Sequence, residues 1–295
     1  MNKRYYSEDA RTLILTPESV DLFVTHPPYF NHHSERYGNA EGQLQRTSSP
    51  NIFVDNLIKV IQNMAAALKP SGTIVIGIPT SEILYKVIAK ISTETELKFG
   101  KCFFWDFSKM TEIVQYDGVD SIMLLVLYKR SQYINKDYKI QSSIIDVPWV
   151  ITDELEAKKH IAFVNDFLPE EICDMMINRF SKPGDVVADL FAGTGTVLKV
   201  AKKLNREIIY NDVSESQTKL AKMIIDNEQE SEMDLKRKEV IDLMTKEIQD
   251  MNVRQMQSLN MPSIEVHNYI EQSKDELDWV NGMLFDLLVK HGVVR

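Results

Sequence analysis

Asp189-Leu190-Phe191-Ala192-Gly193-Thr194-Gly195 stands between an apolar run, Asp185-Val186-Val187-Ala188, and a helical pattern that reaches Leu204. A strand that stops at a carboxylate and turns through two glycines into a helix lets the backbone approach a ligand closely. The helix N-terminus then offers free N–H groups beside it. A purely structural turn would use the same two glycines, so the junction needs support from its surroundings. The next strand supplies it: Glu207-Ile208-Ile209-Tyr210-Asn211 leads to Asp212. In nucleotide-type α/β sites a carboxylate at the tip of that neighbouring strand accepts hydrogen bonds from ribose hydroxyls. A dinucleotide site would want a third glycine after Gly193 and Gly195, and Leu198 stands in its place. A nucleoside ligand without a pyrophosphate fits better.

The same alternation extends upstream. Val20 to Thr25 is a short strand ending at a Pro-Pro pair, and Ile52 to Leu68 has helical periodicity. Lys69-Pro70-Ser71-Gly72 breaks that helix before a buried strand, Thr73 to Ile78. Cys102 to Trp105 and Ser121 to Tyr128 read as two more strands, Glu170 to Phe180 as a helix, and another helix begins near Ser214. Strands alternating with helices imply βαβ units around a largely parallel sheet with helices on both faces, a Rossmann-like α/β fold. Residues 131–157 read as a connection or small insert. From residue 227 to 295 charged helical sequence takes over, expected as a helical appendage for packing, oligomerisation or a partner subunit, so the first domain is read as 1–226.

Bulk properties narrow the class. A 44% apolar and 26% charged composition is that of an ordinary globular protein. No stretch approaches the roughly 20 apolar residues of a membrane span. The opening residues lack the apolar run of a signal peptide, and Cys102 and Cys173 have no metal-type spacing, so a cytoplasmic location with reduced thiols is expected. The net charge of −9 argues against an overall basic surface; any nucleic-acid contact must be local or supplied by a partner. Lys129, Arg130, Lys136 and Lys139 give the insert such a local character, although a cluster of this kind is more often simply a solvated loop. His32, His33 and Glu35 lie close in sequence, but adjacent histidines on a loop rarely converge on one ion, and no metal is expected.

A second constellation follows the first strand: Thr25-His26-Pro27-Pro28-Tyr29-Phe30. Two prolines fix the chain and remove donors, leaving carbonyls outward and an aromatic ring at the carboxyl edge of the sheet. That suits a planar substrate bearing an amino group, with acceptors for its hydrogens and a ring to stack on. A strand terminator with a buried tyrosine is the plainer alternative.

With the Asp-x-Phe-x-Gly-x-Gly wording downstream, the loop resembles the Asp/Asn/Ser-Pro-Pro-Tyr/Phe motif of the S-adenosylmethionine-dependent DNA amino-methyltransferases. Tyr6 to Asp9, Leu68 to Thr73, and His160 to Ile172 with Phe167-Leu168-Pro169 are similar to further segments of that family. Arg36-Tyr37-Gly38 with Gly42-Gln43 resembles its Thr-Ser-Pro-Pro-Tyr subgroup, mostly cytosine-N4 enzymes. The loop precedes the glycine turn, which is the permuted order of the family's β-class. The resemblance spans about residues 4 to 226. It implies methylation of the exocyclic amino group of a flipped DNA base, cytosine N4 first, with adenine N6, RNA, or an inactive cofactor-binding adaptor as alternatives. It implies catalytic roles for His26, Pro27, Pro28 and Tyr29. The cofactor would contact Asp189, Phe191, Ala192, Gly193, Thr194, Gly195, Thr196, Asp212 and Phe167. The substrate would meet Tyr29, Phe30, Arg36, Tyr37, Lys129 and Arg130. His26 departs from the family's Asp, Asn or Ser: a neutral imidazole accepts a hydrogen bond from an amino group, a protonated one does not.

Overall fold

The computed structural model describes residues 2–30, 42–44, 47–106, 121–145 and 168–226. The chain divides into two units, Met1–His32 with Glu41–Ile225, and His33–Ala40 with Asp226–Arg295. The described residues belong to the first, apart from Asp226. The tail at 227–295 and residues 146–157 of the expected insert lie outside them.

Nine strands form one sheet among the described residues. In chain order they are β1 (Lys3–Tyr6), β2 (Val20–Thr25), β3 (Leu68–Pro79), β4 (Lys98–Phe99), β5 (Phe103–Asp106), β6 (Ser121–Tyr128), β7 (Ile144–Ile145), β8 (Val186–Asp189) and β9 (Glu207–Asn211). The helices are α1 (Pro50–Ala67), α2 (Glu82–Glu94), α3 (Glu170–Phe180), α4 (Thr196–Lys203) and α5 (Glu215–Asp226). The spatial order is β1-β9-β8-β2-β3-β6-β5-β7, with β4 also on β6. The pairs β1–β9, β9–β8, β8–β2, β2–β3 and β5–β7 are parallel.

Strand β6 is the exception in a mostly parallel sheet: it runs antiparallel to β3, β4 and β5. Its near-continuous apolar run, Ile122 to Leu127, reports burial on both faces rather than direction. The sheet is mixed and mostly parallel.

Strand alternation sorts side chains into two cores. Phe23, Ile74 and Ile76 pack with α1 and α2 on one face, through Phe53, Leu57, Ile61, Met64 and Val87. Leu22, Val24 and Val75 pack on the other face with α3 and α4, through Ile172, Met176, Val197 and Leu198. Helix α1 starts where its sequence permits: Ser49 caps it by accepting from the Ile52 N–H (3.3 Å), and Pro50 fills the first turn. It stops at Ala67, and the chain enters β3 at once instead of looping through Lys69 to Gly72. The pairing with β2 shifts register there: Val20 pairs with Leu68 but Leu22 with Thr73, so the extra residues lie on β3. Asp21, inside the shift, accepts from Lys69 Nζ (2.7 Å) and the Val186 N–H (2.9 Å), tying β2 to β3 and β8 together.

Two features decide where a ligand binds. From β2 the chain moves through α1 to β3, toward one edge of the sheet; from β8 it moves through α4 to β9, toward the other. Neighbouring β2 and β8 therefore form the reversal point of an open α/β sheet, and a crevice lies outside their carboxyl ends. Residues 131–145 dock beside α3, where Arg179 Nη1 donates to the carbonyls of Asn135 (2.6 Å) and Tyr138 (2.7 Å).

A Cβ at Gly72 would stand 2.6 Å from buried Leu68 Cδ1 and 2.9 Å from the Asp21 carbonyl. Gly72→Ala is expected to destabilise the fold by about 1–3 kcal/mol, read from urea denaturation, through overpacking; an unchanged midpoint would refute this account of the β2–β3 entry.

Candidate active site

Both motifs leave the two strands at the reversal point. The strand register pairs Leu22 with Val187 and Phe23 with Ala188. Beyond it a side-chain bond spans the floor of the crevice: Thr25 Oγ1 donates to Asp189 Oδ1 at 2.6 Å, and both residues are buried. On one side the chain continues into His26-Pro27-Pro28-Tyr29, on the other into the glycine turn.

The turn is shaped by its glycines and pinned by β9. Gly193 (φ +48°) and Gly195 (φ +83°) adopt the left-handed region, and Gly195 caps α4. A Cβ at Gly195 would meet Ile225 Cδ1 at 2.8 Å, so packing demands glycine there. A Cβ at Gly193 would meet no described atom within 4 Å: its bare face looks into open space. The Gly193 N–H donates to Asp212 Oδ2 (3.0 Å), and its carbonyl accepts from the Tyr210 hydroxyl (2.7 Å). Asp212 Oδ1 accepts from the Ser214 N–H (2.9 Å). Each carboxylate oxygen keeps a further lone pair for a ligand hydroxyl. The Ala192 N–H donates to the Asn211 carbonyl (3.0 Å), and the Asn211 amide donates to the carbonyls of Leu190 (3.1 Å) and Glu8 (3.0 Å).

The Pro-Pro-Tyr loop is equally well defined. His26 is buried, and its Nε2 shares a hydrogen bond with the Tyr29 hydroxyl at 2.8 Å. The two rings meet edge to face, 5.2 Å between centroids. Gly77 of β3 makes room for the imidazole, since a Cβ there would stand 3.1 Å from His26 Cδ2. Phe30 lies edge-on to Phe53 of α1 at 5.9 Å. Beneath the loop a small apolar cleft is lined by Pro27, Pro28, Tyr29, Phe30, Leu57 and Ile78 among others.

Not every expected residue joins this cluster. Lys129 and Arg130, expected to meet the substrate, are not brought to this cluster: they follow the end of β6 that lies beside the amino-terminal ends of β2 and β3. Because β6 is antiparallel, its end pairs Tyr128 with Thr73, whereas Thr25 pairs with Ile76. Lys129 donates to the Leu68 carbonyl (3.0 Å), roughly 15–20 Å along the strands from His26. Arg36, Tyr37 and Phe167, with His32, His33 and Glu35, lie outside the described residues. Among the described residues no group of His, Cys, Asp or Glu could hold a metal ion. Three residues of the site escape a sequence reading: Thr25, Tyr210 and Asn211. Asn211 had a signal, its place directly before Asp212.

Comparison with known proteins now bears on this geometry. A family model described as DNA methylase, of the N6/N4 type, matches residues 20–223, over two thirds of the chain. The chain belongs to the N6/N4 DNA methylase family. This DNA methyltransferase also matches, over residues 168–291, the model of the D12 class N6 adenine-specific DNA methyltransferases. It is 25% identical over 232 residues to the type II methyltransferase M.HpaI of Haemophilus parainfluenzae, covering 72% of this chain and 70% of that protein. Its fold is similar to that of the PvuII DNA methyltransferase (cytosine-N4-specific): TM-score 0.60, 15% identity, 75% of this chain and 85% of that one. The M1.HpyAVI–SAM complex has a TM-score of 0.52 at 18% identity, over 76% of this chain and 100% of that one.

Burial pushes the Asp189 carboxyl up from 3.8 to about 7; the Thr25 hydroxyl and the Phe191 N–H oppose the shift, and the Asp212 carboxylate adds to it. Burial likewise raises Asp212. Below about pH 4 Asp189 is protonated whether the chain is folded or not. As pH rises toward 7 the unfolded chain has released this proton while the fold retains it, so stability falls across that window, by an amount on the order of 4 kcal/mol. Asp189→Asn keeps an acceptor and cannot titrate. Thermal melts of the ligand-free protein between pH 4 and 8 should decline less in Asp189→Asn than in wild type; parallel profiles would rule out a raised Asp189.

Proposed function

We propose that this site methylates the exocyclic amino group of a base flipped out of DNA, cytosine N4 first, with S-adenosyl-L-methionine as donor. One observation carries the reading: the Pro-Pro-Tyr loop and the glycine turn emerge side by side from β2 and β8 at the reversal point, joined by Thr25 and Asp189.

The residues suit this donor. The open face of Gly193 and the N-terminus of α4 leave room for a nucleoside, and Asp212 offers lone pairs to its ribose hydroxyls. No third glycine prepares the turn for a pyrophosphate, while two carboxylates suit a cation. The M1.HpyAVI–SAM complex has the same fold. When bound, S-adenosyl-L-methionine supplies an already activated methyl group on a sulfonium. The protein's share is then placement and exclusion of water. Tyr29 presents its ring to the base, and the Pro27 carbonyl and the neutral imidazole of His26 accept the amino hydrogens. Holding those hydrogens turns the nitrogen lone pair out of conjugation and toward the cofactor side of the crevice.

Cytosine N4 draws support from the Arg36-Tyr37-Gly38 and Gly42-Gln43 wording and from the fold shared with the PvuII enzyme. Adenine N6 is the second reading, favoured by the D12-class match over the cofactor half. M.HpaI, a type II methyltransferase, points to a restriction-modification setting.

The purified chain, tritiated S-adenosyl-L-methionine and DNA should yield labelled DNA with no partner added; an unlabelled product would favour the inactive adaptor. Nucleoside analysis should return N4-methylcytosine, and N6-methyladenine would select the second reading. Tyr29→Ala should lower methylation by roughly 10- to 100-fold, the scale of one lost base–aromatic stack, and full activity would refute the stacking role.

A further inference from the structure

We propose that Thr25 is a positioning residue that couples occupancy of the cofactor turn to the placement of the base-binding loop. The inference rests on the cofactor reading above and goes beyond it, because neither motif by itself contains such a link. Three observations support it. The register between β2 and β8 runs through Phe23 and Ala188, and the Thr25–Asp189 bond lies just beyond it, where the two motifs part. Asp189 Oδ1 accepts from both sides at once, from the Thr25 hydroxyl at 2.6 Å and from the Phe191 N–H at 3.0 Å. A single oxygen atom thus joins the residue before His26 to the first aromatic of the turn. Thr25 is fully buried, so water does not compete for its hydroxyl.

The electrostatics give the link its direction. The titratable groups that face Asp189 are Tyr210 of β9, Asp212 directly after β9, and Cys173 of α3. None of them is a cation, so a positively charged ligand in the turn favours the ionised carboxylate. A hydrogen bond to a carboxylate is shorter and stronger than one to a carboxyl group. Filling the turn with a cationic cofactor therefore tightens the Thr25 hydroxyl onto Asp189 and stiffens the segment that begins at His26.

Amide hydrogen exchange with and without S-adenosyl-L-methionine tests this independently of turnover. In wild type the cofactor should slow exchange in the turn, Phe191 to Gly195, and also at the His26, Tyr29 and Phe30 amides, the latter by at least about fivefold. Thr25→Val should keep the effect in the turn and lose it in the loop, and Thr25→Ser should restore it. Should Thr25→Val fail to fold, Asp189→Asn, which keeps an acceptor without the charge, must weaken the loop effect by at least half. A Thr25→Val loop that responds like wild type overturns the proposal. So does a Thr25→Val chain that loses both effects together, since the hydroxyl would then only hold the fold. Wild-type slowing in the turn but not in the loop sinks this inference alone; slowing in neither sinks the cofactor reading with it.

Discussion

The parallel pairing of β2 with β8 is the constraint from which the rest follows. It joins segments far apart in sequence, and it sets strands side by side whose onward connections run to opposite edges of the sheet. The helices must then lie on opposite faces, α1 with one core and α4 with the other, because a crossover between parallel strands has a fixed hand. A gap at the carboxyl ends is the geometric remainder. The Pro-Pro-Tyr loop and the glycine turn are attached to the two sides of that gap. The ladder that holds it is short, so the buried groups around it matter more than usual: Asp21 at one end, Thr25 and Asp189 at the other.

Much of this is legible in the residues alone. Proline and glycine punctuate the chain where strands end, and the apolar spacing of Phe53, Leu57, Ile61 and Met64 marks a helix that exists within two residues of its reading. The two motifs identify themselves by residue type, and each falls where a strand ends. What the residues do not disclose is direction. Ile122 to Leu127 is equally apolar whether β6 runs up or down, and its direction alone decides at which edge Lys129 emerges. Partners across the sheet are hidden for a similar reason. Thr25 reads as the last residue of a strand, and its bond to Asp189 depends on a register that no local pattern encodes. The very short strands β4 and β7, two residues each, lie below the length at which alternation can be detected.

The acidic balance of the chain also has a local meaning. Asp189 and Asp212 stand together at the glycine turn, both raised by burial. Such an environment rejects phosphate and welcomes a cation. It separates the ligand class of this turn from that of glycine turns that cradle pyrophosphate at a helix N-terminus.

Strand β1 pairs in parallel with β9, Lys3 opposite Ile208 and Tyr6 opposite Asn211. A ribosome therefore releases β1 long before β9, its neighbour in the sheet among the described residues, exists. At about 5–20 residues per second the wait is roughly ten to forty seconds. Strand β2 can find β3 early, but it meets β8 only near the end of the domain. The crevice is thus assembled last, after both cores have begun to form. A nascent chain that has not yet reached β8 carries the Pro-Pro-Tyr loop without the glycine turn to face it, so the two sides of the crevice never coexist in it.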